Sequence, residues 1–315
     1  MMEYNKAVIG SIAKENGFVR DTFEKVLRLK NVLKFINEHG YLKEHLALKG
    51  GTAINMTIFN LPRLSVDIDL DYIPNSDKTE MEYDREKISE IIKEYMAEEG
   101  YTLSPSSRFS HSLDAFYYQY QNTGGNKDVL KIEINYSLRA HVFEPTKRKV
   151  LSDIFDDELE VLTLAPMEIF AAKANALINR AAARDLYDFN NMTFLGLFDE
   201  LEEEMFRKCI VFYNTISQET VNKSFDTSAI DKLTFVKIRR DLFPVIRNKE
   251  HFDMDARKQN AKEYIHGLMQ LTEQELQYMT EFENKNYKPE LLFDDKEILE
   301  RIKAHPMAIW KCQNK

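Results

Sequence analysis

Absences narrow the field first. The 315-residue chain holds only two cysteines, Cys209 and Cys312. That is too few for a disulfide framework or a cysteine-rich zinc site, so a reducing cytoplasm is the expected compartment. No apolar run approaches the roughly 20 residues of a membrane span. Met1 to Gly17 lacks the basic-then-apolar layout of a signal peptide, and no membrane partner is expected. The Walker loop, the His-Glu-x-x-His helix and the Gly-x-Ser-x-Gly elbow are all missing. A net charge of -9 argues against generic wrapping of nucleic acid and leaves that role to local basic patches. Internal repeats and low-complexity tracts are absent too. With 43% hydrophobic and 30% charged residues the composition is ordinary for a globular protein, long enough for one large domain or two smaller ones.

What is present is concentrated between residues 46 and 72. Leu46 to Lys49 reads as a short strand delivering the chain into Gly50 and Gly51. Thr52 is placed to cap a helix from Ala53 to about Asn60, which Pro62 stops. A strand follows in which Val66, Ile68 and Leu70 point one way while Ser65, Asp67, Asp69 and Asp71 point the other. Several acids on one strand face are costly unless a divalent cation or an opposing basic surface compensates them.

Downstream, the periodicity predicts helices over 21–39 and 80–99, then strands over 113–121 and 129–138 around a turn at Asn122 to Asn126. In the later strand Glu133 shares a polar face with Lys131 and Asn135. If that strand neighbours the acidic one, Glu133 lies close to the aspartate pair. A short strand at Val161 to Leu164 precedes Pro166, after which helix dominates. The natural cut gives an α/β domain over 1–164 and a helical domain over 165–315. A helix from Met167 to about Ala183 would carry Lys173, Leu177, Arg180 and Arg184 in one stripe. Lys237, Arg239, Arg240, Arg247 and Lys249 form the most basic patch of the helical half.

These parts suit nucleotidyl transfer. Asp67 and Asp69 match the one or two carboxylates that magnesium takes from a protein. Glu133 either completes a metal set or accepts the proton of an attacking hydroxyl. Gly50, Gly51 and Thr52 at a helix start offer bare N–H groups to a phosphate. The Lys173, Arg180 and Arg184 stripe would offset charge on a leaving pyrophosphate. Each part also has a plainer reading. A Gly-Gly pair is commonly a turn, and Asp71 reads as solvated surface. A lysine on an alanine-rich helix commonly reaches for water. Arg184, Asp185 and Asp188 read equally as a surface charge network, and the basic patch as a solvated face. The order of turn, helix, aspartate strand, glutamate strand and basic helix is what unites them.

With that order on view, the chain resembles the AbiEii/AbiGii toxin family of nucleotidyltransferases, relatives of the DNA polymerase β superfamily. The resemblance rests on Lys49, Gly50, Gly51, Thr52, Ala53 and Asn55, followed by Arg63, Ser65, Asp67, Asp69 and Leu70. It continues through Lys131 and Glu133, then Glu168, Lys173, Arg180, Arg184, Asp185 and Asp188, and into the tail at His305, Pro306, Trp310 and Lys311. It implies an α+β fold, a nucleotidyltransferase-type mixed sheet with flanking helices followed by a mainly helical C-terminal domain. It implies a toxin linked to phage defence and restrained by a separate antitoxin. The implied reaction is magnesium-dependent transfer from a nucleoside triphosphate, GTP or CTP/UTP, to RNA, with tRNA as the acceptor class. By position, Asp67 and Asp69 would hold magnesium, Lys173 would contact the nucleotide, and Asp185 or Asp188 would be the later essential acid. Ser65 matches a position phosphorylated in some relatives. Transfer to a protein and non-catalytic GTP binding are the alternative readings.

Overall fold

Two units make up the polypeptide in the computed structural model, which describes residues 4–151, 154–155, 158–217 and 221–313. The first comprises Met1–Arg139, Pro145–Leu164 and Phe243–Glu250; the second comprises Ala140–Glu144, Ala165–Leu242 and His251–Lys315. The first unit opens with α1 (Lys6–Glu15), α2 (Arg20–Glu38), α3 (Leu42–His45), β1 (Leu46–Lys49) and α4 (Gly50–Ala53), which a π-helical turn extends over Ile54–Ile58. Then come β2 (Asp67–Tyr72), α5 (Lys78–Glu98), β3 (Thr102–Leu103), β4 (Arg108–Phe109), β5 (Leu113–Gln121) and β6 (Lys127–Asn135). Two further strands, β7 (Thr146–Lys149) and β8 (Glu160–Thr163), complete it.

The strands form one mixed sheet in the order β3-β5-β6-β2-β1-β8-β7, with β4 also paired to β5. Its centre is the acidic strand. β2 runs antiparallel to β1 and parallel to β6. Ile68, Leu70, Ile132 and Ile134 are all buried on one face, as the two-residue alternation predicts. Helix α2 packs on the sheet at β2 and β8, presenting Val26, Leu29, Leu33 and Ile36, each fully or almost fully buried. The lysines and arginine of the edge strand β7 give it a charged border of the kind that discourages further strand pairing.

A buried carboxylate ties α2 to the turn of the β5–β6 hairpin. Glu24 is fully buried and accepts from Arg28 Nε at 3.0 Å and Nη2 at 2.7 Å. It also accepts from the backbone N–H of Thr123 at 3.0 Å and from the Thr123 hydroxyl. Asn122 closes the same turn by accepting from the N–H groups of Gly124 and Asn126.

The second unit is helical: α6 (Pro166–Asn179), α7 (Ala183–Phe194), α8 (Glu200–Ser217), α9 (Ser228–Asp231) and α10 (Phe235–Asp241). It continues with α11 (Met254–Leu268), α12 (Glu273–Glu283), α13 (Lys296–Ile302) and α14 (Pro306–Gln313). Local chemistry sets several starts: Pro166 at the first turn of α6, Asp253 and Asp295 as side-chain caps, and a Thr272–Glu275 capping box. Asn175 of α6 donates to the Ile210 carbonyl of α8 at 3.0 Å, locking these two helices together. Glu168, also buried, accepts from the N–H groups of Val142 at 2.8 Å and Phe143 at 3.2 Å and from the Tyr213 hydroxyl.

Three sequence expectations need correction. The helix expected to run to about Ala183 stops at Asn179, because Ala181 takes φ of +45° and the chain restarts as α7. Thr52 does not cap a helix; it lies inside α4, and its hydroxyl donates to the Asp67 carbonyl. Strands β3, β4 and β7 went unforeseen, being short or polar.

Removing the Glu24 carboxylate would leave a buried guanidinium and a buried N–H without their acceptor. Glu24→Ala is expected to cost about 3 kcal/mol, read as a lower urea midpoint with an unchanged slope. A midpoint within error of the wild type would show that this tie contributes nothing.

Candidate active site

Strand pairing brings the expected carboxylates into register. Asp69 stands opposite Glu133 across the β2–β6 pair and opposite Lys49 across the β1–β2 pair. Asp67 stands opposite Lys131, and Asp71 opposite Asn135. One polar face of the sheet thus carries Asp67, Asp69, Asp71 and Glu133, with Lys49 and Lys131 as its cations. Lys131 is ion-paired to Glu133 at 2.6 Å, and Lys49 is paired to Asp71.

The balance leaves Asp69 poorly compensated. Burial raises its carboxyl, and the charges of Asp67 and Glu133 raise it further against the opposing pull of Lys49 and Lys131, to about 6 from 3.8. Asp71, read from sequence as surface, is instead buried, and burial raises its pKa despite the Lys49 ammonium beside it. It stands opposite Ala47 of β1, and Lys49 of that strand donates to it.

Two glycines are required where α4 meets this face. Gly50 has φ of +66°, and a Cβ there would lie 2.7 Å from Asp69 Oδ2. A Cβ on Gly51 would lie 2.7 Å from Arg63 Nη2 and 3.0 Å from Ser65 Oγ. The start of α4, where N–H groups lack intrahelical acceptors, therefore rests against the acidic strip. The Thr52 hydroxyl is engaged with β2, which leaves untouched the backbone N–H that was expected to meet a phosphate. Ser65 is buried beside Gly51. Arg63, also buried, donates from Nη1 to the Leu64 carbonyl at 2.9 Å.

Among the described residues, no group of three or more His, Cys, Asp or Glu side chains is gathered to hold a metal ion. The three acids expected from sequence to form the metal set, Asp67, Asp69 and Glu133, lie together on one polar face, close enough for Asp67 and Glu133 to act on the Asp69 carboxyl. The Glu133 carboxylate is engaged by Lys131. Asp67 and Asp69 are hard oxygen ligands two residues apart on one strand face, and the Asp69 carboxyl is raised by burial and by its acidic neighbours. That donor chemistry fits magnesium, which takes one or two carboxylates and fills its other positions with water and phosphate oxygens.

A separate cluster forms in the second unit. Lys173 Nζ lies 2.9 Å from Asp185 Oδ1 and 3.2 Å from Asp188 Oδ2, and all three side chains are almost wholly buried. Arg180 is largely exposed, with Nε 3.6 Å from Asp185 Oδ2. The expected single stripe is split: Lys173 is on α6, Arg180 at its end and Arg184 on α7. The break has a consequence, for it turns α7 so that Asp185 and Asp188 meet Lys173. The surface network of the plainer reading is thus excluded for these two aspartates. Of the basic patch, Lys237, Arg239 and Arg240 are exposed on α10. Arg247 does not belong with them: it donates to the Asn16 carbonyl at 2.7 Å and lies over the Phe18 ring. Lys49 and Lys131 were missed as electrostatic partners, although each is itself part of a quoted motif.

The strip stores unfavourable charge, and this gives two predictions. A carboxyl whose folded pKa is raised destabilises the fold once pH exceeds its unfolded value, and the loss is complete above the folded value. Asp69→Asn is therefore expected to stabilise the protein above about pH 6, by roughly 2 kcal/mol after allowance for the part of the carboxylate that water reaches. The gain should vanish below about pH 4; a pH-independent change in melting temperature would contradict it. Gly50→Ala is expected to lower the melting temperature at any pH, because it adds both strain and a clash. An unchanged melt would refute the close approach.

Three comparisons bear on what this arrangement belongs to. No curated protein matches the chain. Among solved structures, the nucleotidyltransferase toxin MenT4 from Mycobacterium tuberculosis shares the fold, with a TM-score of 0.65 and 14% identity over 96% of this chain and 99% of that one. The family model described as nucleotidyl transferase AbiEii toxin, type IV toxin–antitoxin system, matches residues 34–280. That span takes in the acidic strip, the glycine turn and the Lys173 cluster, and the chain belongs to this family of nucleotidyltransferase toxins.

Proposed function

We propose that this toxin transfers a nucleotidyl group from a nucleoside triphosphate, GTP, CTP or UTP, to RNA, with tRNA as the acceptor class. The observation that carries the reading is the register of Asp69 with Glu133 beside a glycine whose Cβ would collide with the Asp69 carboxylate. Asp67 and Asp69 would hold magnesium, which when bound supplies positive charge to phosphate oxygens. The first N–H groups of α4 are assigned to phosphate oxygens as well. The terminal hydroxyl of the RNA attacks the α-phosphorus. A new P–O bond forms as the bond to pyrophosphate breaks, and Glu133 takes the hydroxyl proton. Lys173 is assigned to the phosphates of the nucleotide, its ammonium oriented by Asp185 and Asp188. An antitoxin is the expected protein partner.

Incubation with each labelled triphosphate, total RNA and magnesium tests the reading. Wild-type protein should label RNA, and Asp67→Asn should lose on the order of 100-fold or more in rate while its fold is kept. Labelled protein bands without labelled RNA would move the acceptor to a protein. Triphosphate binding without pyrophosphate release would refute transfer altogether. Lys173→Ala should raise KM for the triphosphate; an unchanged KM would remove Lys173 from nucleotide binding.

A further inference from the structure

We propose that the exposed face of α10 is an RNA-binding strip that grips the acceptor through its phosphate backbone and one unstacked base. The proposal rests on the RNA-transfer reading above and gives that reaction a substrate-holding surface.

The helix is short and amphipathic in an unusual way. Thr234 caps it, and Ile238 and Leu242 anchor its inner side, both fully buried. The outer side is neither simply polar nor simply apolar. Phe235 is 54% and Val236 73% exposed, while Lys237, Arg239 and Arg240 are exposed alongside them. Helical spacing places Phe235 beside Arg239 and Val236 beside Arg240, as i, i+4 neighbours. Two apolar side chains, each flanked by a guanidinium, therefore face solvent in adjacent rows. Interleaving of an aromatic platform with cations is what single-stranded nucleic acid requires: the ring stacks on a base while the cations meet phosphates.

Charge singles this face out. The whole chain carries -9, so three cations on one seven-residue helix run against the protein's own sign. Among the described residues, Lys237 and Arg239 have no carboxylate in an ion pair. Arg240 is held by Asp241 at 2.6 and 2.7 Å, with side-chain exposures of 70% and 36%. An exposed pair of this kind contributes little to stability, so a phosphate can compete for the guanidinium. The strip also continues beyond its helix. The cations around Asp241 hold its carboxyl below the usual range, Arg240 first and then Arg184 and Lys237. Arg184 is on α7 next to Asp185, which contacts Lys173. Cations thus extend from the Lys173 cluster along α10, as a bound RNA strand would need.

RNA binding measured by fluorescence anisotropy across a salt series tests the strip, using the full chain and a labelled RNA with a single-stranded 3′ end. Lys237→Ala with Arg239→Ala should weaken binding about tenfold or more at 0.15 M salt. It should also flatten the log–log salt slope by about 1.4, since each single-strand phosphate contact contributes roughly 0.7. Phe235→Ala should weaken binding by about tenfold while leaving the slope unchanged, because stacking releases no counterions. Unchanged melting temperatures are the control for folding. If the double variant keeps both the affinity and the slope, the strip is overturned, even where wild-type protein labels RNA. If wild-type protein labels no RNA yet the variants lose binding as stated, the transfer reading fails and the strip stands. Loss of association with a protein acceptor, with RNA binding intact, would also overturn it.

Discussion

Like charge held in register on neighbouring strands is the constraint around which the first unit is arranged. Asp69 and Glu133 face each other across a parallel strand pair with Asp67 and Asp71 on the same side. A sheet favours opposite charges at such positions and penalises like ones. The cost is reduced in stages. Lys49 takes Asp71 and Lys131 takes Glu133, which leaves Asp69 short of compensation. The raised Asp69 carboxyl is the residue of that deficit. A fold built for stability alone would place apolar or alternating charges there. That deficit is what the proposed magnesium site would draw on.

The neighbouring helix start follows from the same constraint. For backbone N–H groups to reach the acidic strip, nothing larger than hydrogen can stand at Gly50, and the left-handed φ is tolerated there for the same reason. Thr52 then fixes the approach by donating to the Asp67 carbonyl, so that one bond links the glycine turn to the strand that carries the acids. Elsewhere the chain uses buried carboxylates differently. Glu24 and Glu168 each take up backbone N–H groups and side-chain donors, so their charge is satisfied and organises local structure. Glu24 and Glu168 thus have full sets of partners, whereas Asp69 is left short.

Sequence alone revealed the strip because the side-chain period of a strand is two and admits no drift. Once β2 and β6 were read as strands, the faces of Asp67, Asp69 and Glu133 followed. Which acid was paired did not follow, since Lys49 reaches Asp71 only through the β1–β2 register. Asp71 looked like surface for that reason. The helical half was less legible. An alanine-rich run gives no sign of where a helix ends, and Ala181 at φ of +45° is a conformation that alanine rarely signals. Arg247 shows the same limit, for a cation near other cations in sequence is tied by its fold to a carbonyl and a ring.

The break at Ala181 also changes what Lys173 is. On one continuous helix, Lys173 and Arg184 would both have pointed outward along a basic stripe, and each aspartate would have been solvated. With α7 turned, Lys173 meets two carboxylates at 2.9 and 3.2 Å in nearly complete burial. An ammonium so placed cannot swing to water as a surface lysine does, so its rotamer entropy is spent in folding. Two carboxylates share the one ammonium, and Arg180 at 3.6 Å from Asp185 adds an exposed cation beside them. A lysine held this rigidly is preorganised: whatever anion it meets need not order it again. That separates it from the α10 cations, whose exposure keeps them adaptable.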